Sequence, residues 1–186
     1  MMNDFKMSDL GLLSYFLGIE FKITKYGTIM KQSKYVRDLL RRLNIQQSNP
    51  TRTPIEVGLF LEKKTNEELV DLTHHRKIVE CLRYLCNTRL DLSFSIGLIS
   101  RFMQEPRLSH LLAAKGILRY PPRQKRIIKG IIGFGVLFPK GKAGVEPELI
   151  GYSDSDCCGE KSDRKNIVGY IFFYGGAPIS WSSIKE

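Results

Sequence analysis

SYFLGIEFKITKYGTIMKQSKYVRDLLRRLN, residues 14–44, changes its hydrophobic period halfway along. The first half, SYFLGIEFKI, is rich in aromatic and β-branched residues. Tyr26-Gly27 supplies a turn, and TIMK resumes the strand, so 14–31 reads as a β-hairpin. From Ser33 to Leu43 the apolar residues Tyr35, Val36, Leu39, Leu40 and Leu43 fall at helical spacing. Ser33 is a candidate N-cap and Asn44 a stop. A hairpin running straight into an amphipathic helix points to an α+β fold.

Downstream, Asn49-Pro50-Thr51-Arg52-Thr53-Pro54 breaks regular structure, and 55–72 reads as a connector carrying the charged run EKKTNEE. Three helical patterns follow. The first is Thr73–Asn87, with Ile78, Val79, Leu82 and Leu85 on one side. The second is Asp91–Met103, with Leu92, Ile96, Ile99 and Met103, capped near Thr88–Asp91. The third is Ser109–Arg119, with Leu111, Leu112, Ile117 and Leu118, and Pro121-Pro122 ends it for want of amide donors. These stripes read as core. GIIGFGVLF, ELIGYSDSD, NIVGYIFFYGG and APISWSS then form an antiparallel group of short strands.

The chain has 186 residues, and its 29 Lys and Arg against 19 Asp and Glu give a net charge of +10. Nine of those charges, Arg107, Lys115, Arg119, Arg123, Lys125, Arg126, Lys129, Lys140 and Lys142, lie between Pro106 and Val145, where no acid occurs. Such a block suits a phosphate backbone, because neutralised phosphates release counterions; a solvated helix face plus a basic loop accounts for it equally well. No apolar run approaches the roughly 18 residues that span a membrane, and the N-terminus lacks a signal-peptide pattern. Four irregularly spaced Cys do not make a disulfide framework. An intracellular protein, cytoplasmic or nuclear, is expected.

Taken in order, several segments resemble the Pol polyprotein of copia-type LTR retrotransposons, especially those of plants. They are MSDLGLLSYFLGIEF (7–21), KQSKYVRDLLRRLNI (31–45), RTPIEVGLFL (52–61), VECLRYLCNTRLDLSFSIGLISRFMQEPRLSH (79–110), AAKGILRY (113–120), ELIGYSDSD (148–156), DRKNIVGYIFF (163–173) and ISWSSIK (179–185). The resemblance implies the end of a reverse-transcriptase palm and the first thumb helix over 1–45, and thumb and connection helices over 46–120. A basic linker and strand would occupy 121–147, and a truncated ribonuclease H-like start 148–186. The implied fold is a partial palm hairpin, a helical middle, and incomplete antiparallel strands of a ribonuclease H-like domain.

The implied chemistry needs paired carboxylates around two divalent metals, Mg2+ in the parent family. The family's Tyr-Val-Asp-Asp turn lies upstream of the segment that begins MSDLG, and no Asp-Asp dipeptide occurs in these 186 residues. The first ribonuclease H carboxylate falls in Tyr152-Ser153-Asp154-Ser155-Asp156, with Asp154 the choice and Asp156 the alternate. Strand alternation puts both on one face. The next family carboxylate lies in a helix downstream. The expectation is therefore a catalytically incomplete fragment that needs no cofactor of its own.

Its expected partners are RNA or DNA backbone and the remainder of the Pol polyprotein, with no membrane. Residual binding would run through Arg107, Lys115, Arg119, Arg123, Lys125 and Arg126. The rival reading is a co-opted non-catalytic protein-interaction module. Departures from the family pattern are of the kind a decaying element copy accumulates. Ser155-Asp156-Cys157-Cys158-Gly159 replaces Ser-Asp-Trp-Ala-Gly, Leu90 replaces a proline, and PPRQKRII interrupts the family's Arg-Tyr-Leu-Lys-Gly-Thr after Arg119-Tyr120.

Other groupings carry less. Cys81, Cys86, Cys157, Cys158 and the pair His74-His75 lack the spacing of a zinc site. His110 has no spaced carboxylate for a hydrolase triad, and Gly130, Gly133 and Gly135 do not complete a phosphate loop. Trp181, Tyr170 and Phe172 read as sheet core rather than as base-stacking platforms.

Overall fold

The computed structural model describes residues 11–46, 48–49, 51–56, 59, 61–62, 66–120, 135–141, 144, 146–156 and 167–185. Its elements are β1 (Tyr15–Phe16), β2 (Ile19–Thr24), β3 (Gly27–Lys31), α1 (Ser33–Arg42), α2 (Leu72–Leu85), α3 (Ser93–Ile99), α4 (Leu108–Leu118), β4 (Gly135–Pro139), β5 (Leu149–Asp156), β6 (Ile167–Tyr174) and β7 (Ala177–Lys185). Short 3₁₀ turns at Leu90–Leu92 and Ser100–Phe102 flank α3. The fold is α+β.

Two antiparallel sheets result, one in the order β1-β2-β3-β4 and one in the order β5-β6-β7. The expected hairpin forms, with two changes. Its first strand breaks at Leu17 and Gly18, whose φ angles of +46° and +83° suit a tight two-residue turn of the primed type. The second turn sits at Lys25-Tyr26, one residue earlier than expected. Gly27 instead opens β3 at φ +142°, and a Cβ there would collide with the Phe138 carbonyl of β4. Glycine therefore lets β4 approach β3.

β4 is also where the expected C-terminal strand group divides. It pairs with β3 in the register Gly27↔Pro139 to Lys31↔Gly135, and so belongs to the N-terminal sheet. Only β5, β6 and β7 pair with one another. Pro121-Pro122, Gly130, Gly133 and the Cys157-Cys158 pair lie outside the described residues.

The four helices build the core. α1 buries Val36 and Leu39, and its N-cap is Gln32 rather than Ser33, which is itself helical and buried. Asn44 ends it as expected, in the left-handed region at φ +54°. The Asn44 amide donates to the Arg41 carbonyl (3.1 Å) and the Ile45 amide to the Leu40 carbonyl (3.0 Å), the paired bonds of a Schellman ending. α2 begins at Asp71, whose carboxylate accepts the Thr73 amide at 2.9 Å, and buries Ile78, Val79, Leu82 and Leu85. Ile96, Ile99, Phe102, Ala114 and Ile117 complete the cluster. Leu112, expected in the stripe of the last helix, is 53% exposed.

Buried polar bonds fix how the parts join. The Gln32 side-chain amide donates to the Tyr84 carbonyl at 3.1 Å and accepts from the Thr88 hydroxyl at 2.8 Å, tying the hairpin exit to the end of α2. The Tyr84 hydroxyl donates to the Leu17 carbonyl, pinning the β1–β2 turn. The Trp181 indole donates to the Cys86 carbonyl at 3.0 Å, docking β7 on the same helix end. Trp181 is thus partly buried in the sheet–helix joint, whereas Phe172, read from sequence as core, is 41% exposed.

Candidate nucleic-acid interface

Three of the six expected backbone-binding residues are described, all at or on α4; Arg123, Lys125 and Arg126 lie outside the described residues. Arg107 is already engaged. Its guanidinium donates to the Glu67 carbonyl at 2.8 Å and its amide to His110 Nδ1 at 3.0 Å. It therefore clamps the connector to the start of α4. Lys115 and Arg119 sit one turn apart on a half-exposed face, beside the exposed Leu108 and Leu112. Arg119 also borders a groove of about 330 Å³ shared with Thr51, Pro54, Leu59, Leu112 and Gly116.

Folding reveals a second basic face that the linear charge count hid. α1 exposes Lys34, Arg37, Arg41 and Arg42, with Asp38 as its only acid, paired to Arg41 at 3.3 Å. The Lys34 ammonium lies 5.8 Å from the ring centre of Tyr15, which is 50% exposed beside Phe16 at 56%. At the helix start the Lys34 amide donates to Glu20, whose carboxylate also lies 3.4 Å from the Lys31 ammonium. Helical spacing could have found this face. The sum over the sequence could not, because acids on other faces cancel it.

The first turn of α4 also holds the connector. The Ser109 amide donates to the Glu67 carboxylate at 2.9 Å, and that bond holds Glu67 below the usual carboxylate range. His110 is buried and stacks on Phe102 with ring centres 4.0 Å apart. Its Nδ1 accepts from Arg107, so Nε2 carries the proton and donates to the Glu62 carbonyl at 3.1 Å. Burial lowers its pKa. His75 is fully buried, and burial followed by repulsion from His110 and His74 pushes its pKa down to about 4. Both imidazoles are structural and neutral, while His74 is exposed.

Asp154 lies near the end of β5, opposite Gly169 of β6, and is exposed. Asp156 is the last residue of that strand, two positions on. Among the described residues no three His, Cys, Asp or Glu side chains come together. Cys81 and Cys86 lie at the joint between α2 and its neighbours as free thiols, and burial pushes Cys86 up to about 11. Among the described residues no helix is long and apolar enough to cross a membrane.

Comparison with known proteins places this arrangement. The chain is 38% identical over 98% of its length to the retrovirus-related Pol polyprotein from transposon RE1 of Arabidopsis thaliana. It is 35% identical over 96% of its length to that from transposon TNT 1-94 of Nicotiana tabacum. It spans only 12% and 13% of those two relatives. It is also 33% identical over 98% of its length to the uncharacterized mitochondrial protein AtMg00810 of Arabidopsis thaliana, of which it covers 71%. No protein-family model matches the chain, and no solved structure does. The chain belongs to the Pol polyprotein family of copia-type retrotransposons.

Proposed function

We propose that these 186 residues are a piece of a retrotransposon reverse transcriptase/ribonuclease H, catalytically incomplete alone, that retains salt-sensitive binding to nucleic-acid backbone. In this reading 1–45 is the palm end with the first thumb helix, and 46–120 the thumb and connection. Residues 121–147 form the basic linker and strand, and 148–186 the ribonuclease H-like start. The observation that carries the reading is identity to Pol polyproteins along nearly the whole chain. Two further features support it. The chain has no Asp-Asp dipeptide, and among the described residues no three His, Cys, Asp or Glu side chains come together.

Binding runs through Arg107, Lys115, Arg119, Arg123, Lys125 and Arg126, joined by the α1 cations Lys34, Arg37 and Arg41. The test is fluorescence anisotropy with a labelled RNA–DNA hybrid across a salt series. Alanine at Arg123, Lys125 and Arg126 together should weaken binding and lower the slope of log affinity against log salt by roughly 2 to 3. An unchanged titration sinks the proposal. Alanine at Lys34, Arg37 and Arg41 tests the α1 face in the same way. A protein-interaction module is the second reading, favoured by the exposed run Leu12, Leu13, Tyr15, Phe16 and Leu17. Its sign is a stable fold indifferent to polynucleotide at every salt concentration.

A further inference from the structure

The connector is fastened to the start of α4 by a short row of polar bonds. The Val70 amide donates to the Pro106 carbonyl at 3.1 Å and the Leu108 amide to the Glu68 carbonyl at 3.3 Å. Leu69 and Arg107 therefore face each other as an isolated antiparallel bridge. The Arg107 guanidinium on the Glu67 carbonyl and the Ser109 amide on the Glu67 carboxylate extend the row. Behind it lies His110, fully buried, with Nδ1 accepting the Arg107 amide at 3.0 Å. A backbone N–H only donates, so this place requires the ring with Nδ1 bare. An imidazolium carries a proton on both nitrogens and would set one N–H against another.

The groups around His110 set how readily that happens. On the connector, the Glu62 carbonyl accepts from Nε2 in either protonation state. Glu67 favours the charged ring, but it is exposed and already takes the Ser109 amide. Arg107, at the start of α4, opposes the charge. The 3₁₀ turn before α4 presents the uncharged Phe102 ring. From α2 comes the buried His75, with His74 next to it, and neither His75 nitrogen has a hydrogen-bond partner among the described residues. Charge on His110 holds back protonation of His75, so His75 follows rather than leads.

We propose that His110 is an acid-operated latch: a solvent proton taken up at Nδ1 expels the Arg107 amide and frees residues 66–70 from α4 while the helical body stays folded. The opening is local because this stretch leans on the helices through the polar row, with Leu69 59% exposed. The core of α1 to α4 is aliphatic and does not titrate. The device is independent of the nucleic-acid reading, since no polynucleotide enters its test.

The experiment is a nuclear magnetic resonance titration of the full chain from about pH 8 to about pH 5. At the neutral end the His110 ring should carry its proton on Nε2 and none on Nδ1. On acidification the amides of Glu67, Glu68, Val70, Arg107, Leu108 and Ser109 should shift together, at the midpoint of the His110 ring. Amides of α1 and β3 should keep their positions through that step. His110→Asn supplies a carbonyl oxygen in place of Nδ1 and does not titrate, so the step should vanish. Arg107→Ala keeps the backbone amide but removes a cation and one bond of the row, and should raise the midpoint. A proton on Nδ1 at the neutral end overturns the proposal. So do connector amides that ignore the His110 ring, an Arg107→Ala midpoint equal to the parent's, or α1 and β3 amides that move in the same step.

Discussion

The helical body and the C-terminal sheet keep their apolar residues in opposite ways. In α1 to α4 the large aliphatic side chains face one another, and Ile78, Val79, Leu82, Ile99 and Ile117 are almost wholly out of contact with water. In β5 to β7 Leu149, Tyr152, Phe172, Tyr174 and Ile179 remain 41–62% exposed. The helices close a core among themselves. The sheet is held through its edge strand, by the Trp181 bond to Cys86 and by the close contact of Gly97 in α3 with Ser183. The sheet is therefore expected to depend on the helices more than they depend on it.

The largest expected effect tests that dependence from the core side. Leu82→Ala removes a fully buried side chain and should cost about 2–5 kcal/mol. Helical circular dichroism and Trp181 fluorescence should be lost in one transition. Survival of the Trp181 signal after the helices melt would show that the sheet stands alone.

Acid provides the next largest. An unfolded chain protonates its histidines near the ordinary pKa, while His75 resists until about pH 4 and His110 is lowered in the same direction. Stability is therefore full above about pH 7 and falls as pH drops, by about 3 kcal/mol for His75 alone once pH 4 is reached. Glu67, held low by Ser109, adds to the loss below the normal carboxylate range. Urea midpoints between pH 7 and pH 4 measure this, and His75→Leu should flatten the upper part of the curve.

A smaller change cuts the joint itself. Trp181→Phe deletes the bond to the Cys86 carbonyl and should cost about 1 kcal/mol or slightly more. Hydrogen exchange should quicken in β7 and leave α2 unaltered; equal acceleration in both would mean that the regions support each other. The smallest effect is Asp71→Ala, which removes the α2 cap for about 1 kcal/mol and should lower the melting temperature without changing exchange within the sheet.

Much of the helical body was legible because burial repeats there with the helical period. Val36, Leu39, Ile78, Val79, Leu82, Leu85, Ile96, Ile99 and Ile117 all lie inside as their spacing requires. Leu112 departed from that pattern because the neighbouring elements do not cover its side of α4. At the candidate interface, counting charge selects Lys115 and Arg119, whereas the α1 face becomes visible only when charges are sorted by side of the helix. Arg107 is expected from the sequence at the nucleic-acid backbone, and the fold adds a partner for it within the chain. Its bond to the Glu67 carbonyl joins residues forty positions apart, and no local pattern encodes that.

The sequence by itself determined the α+β class, the helices and their inner faces, and kinship with the copia-type Pol polyproteins. These follow from local periodicity and from ordered similarity along one chain. Tertiary structure alone decided that β4 leaves the C-terminal strands to pair with β3 and that Trp181 anchors the sheet to α2. Those outcomes depend on which distant backbone groups find partners, and strand patterns specify a face but not a neighbour.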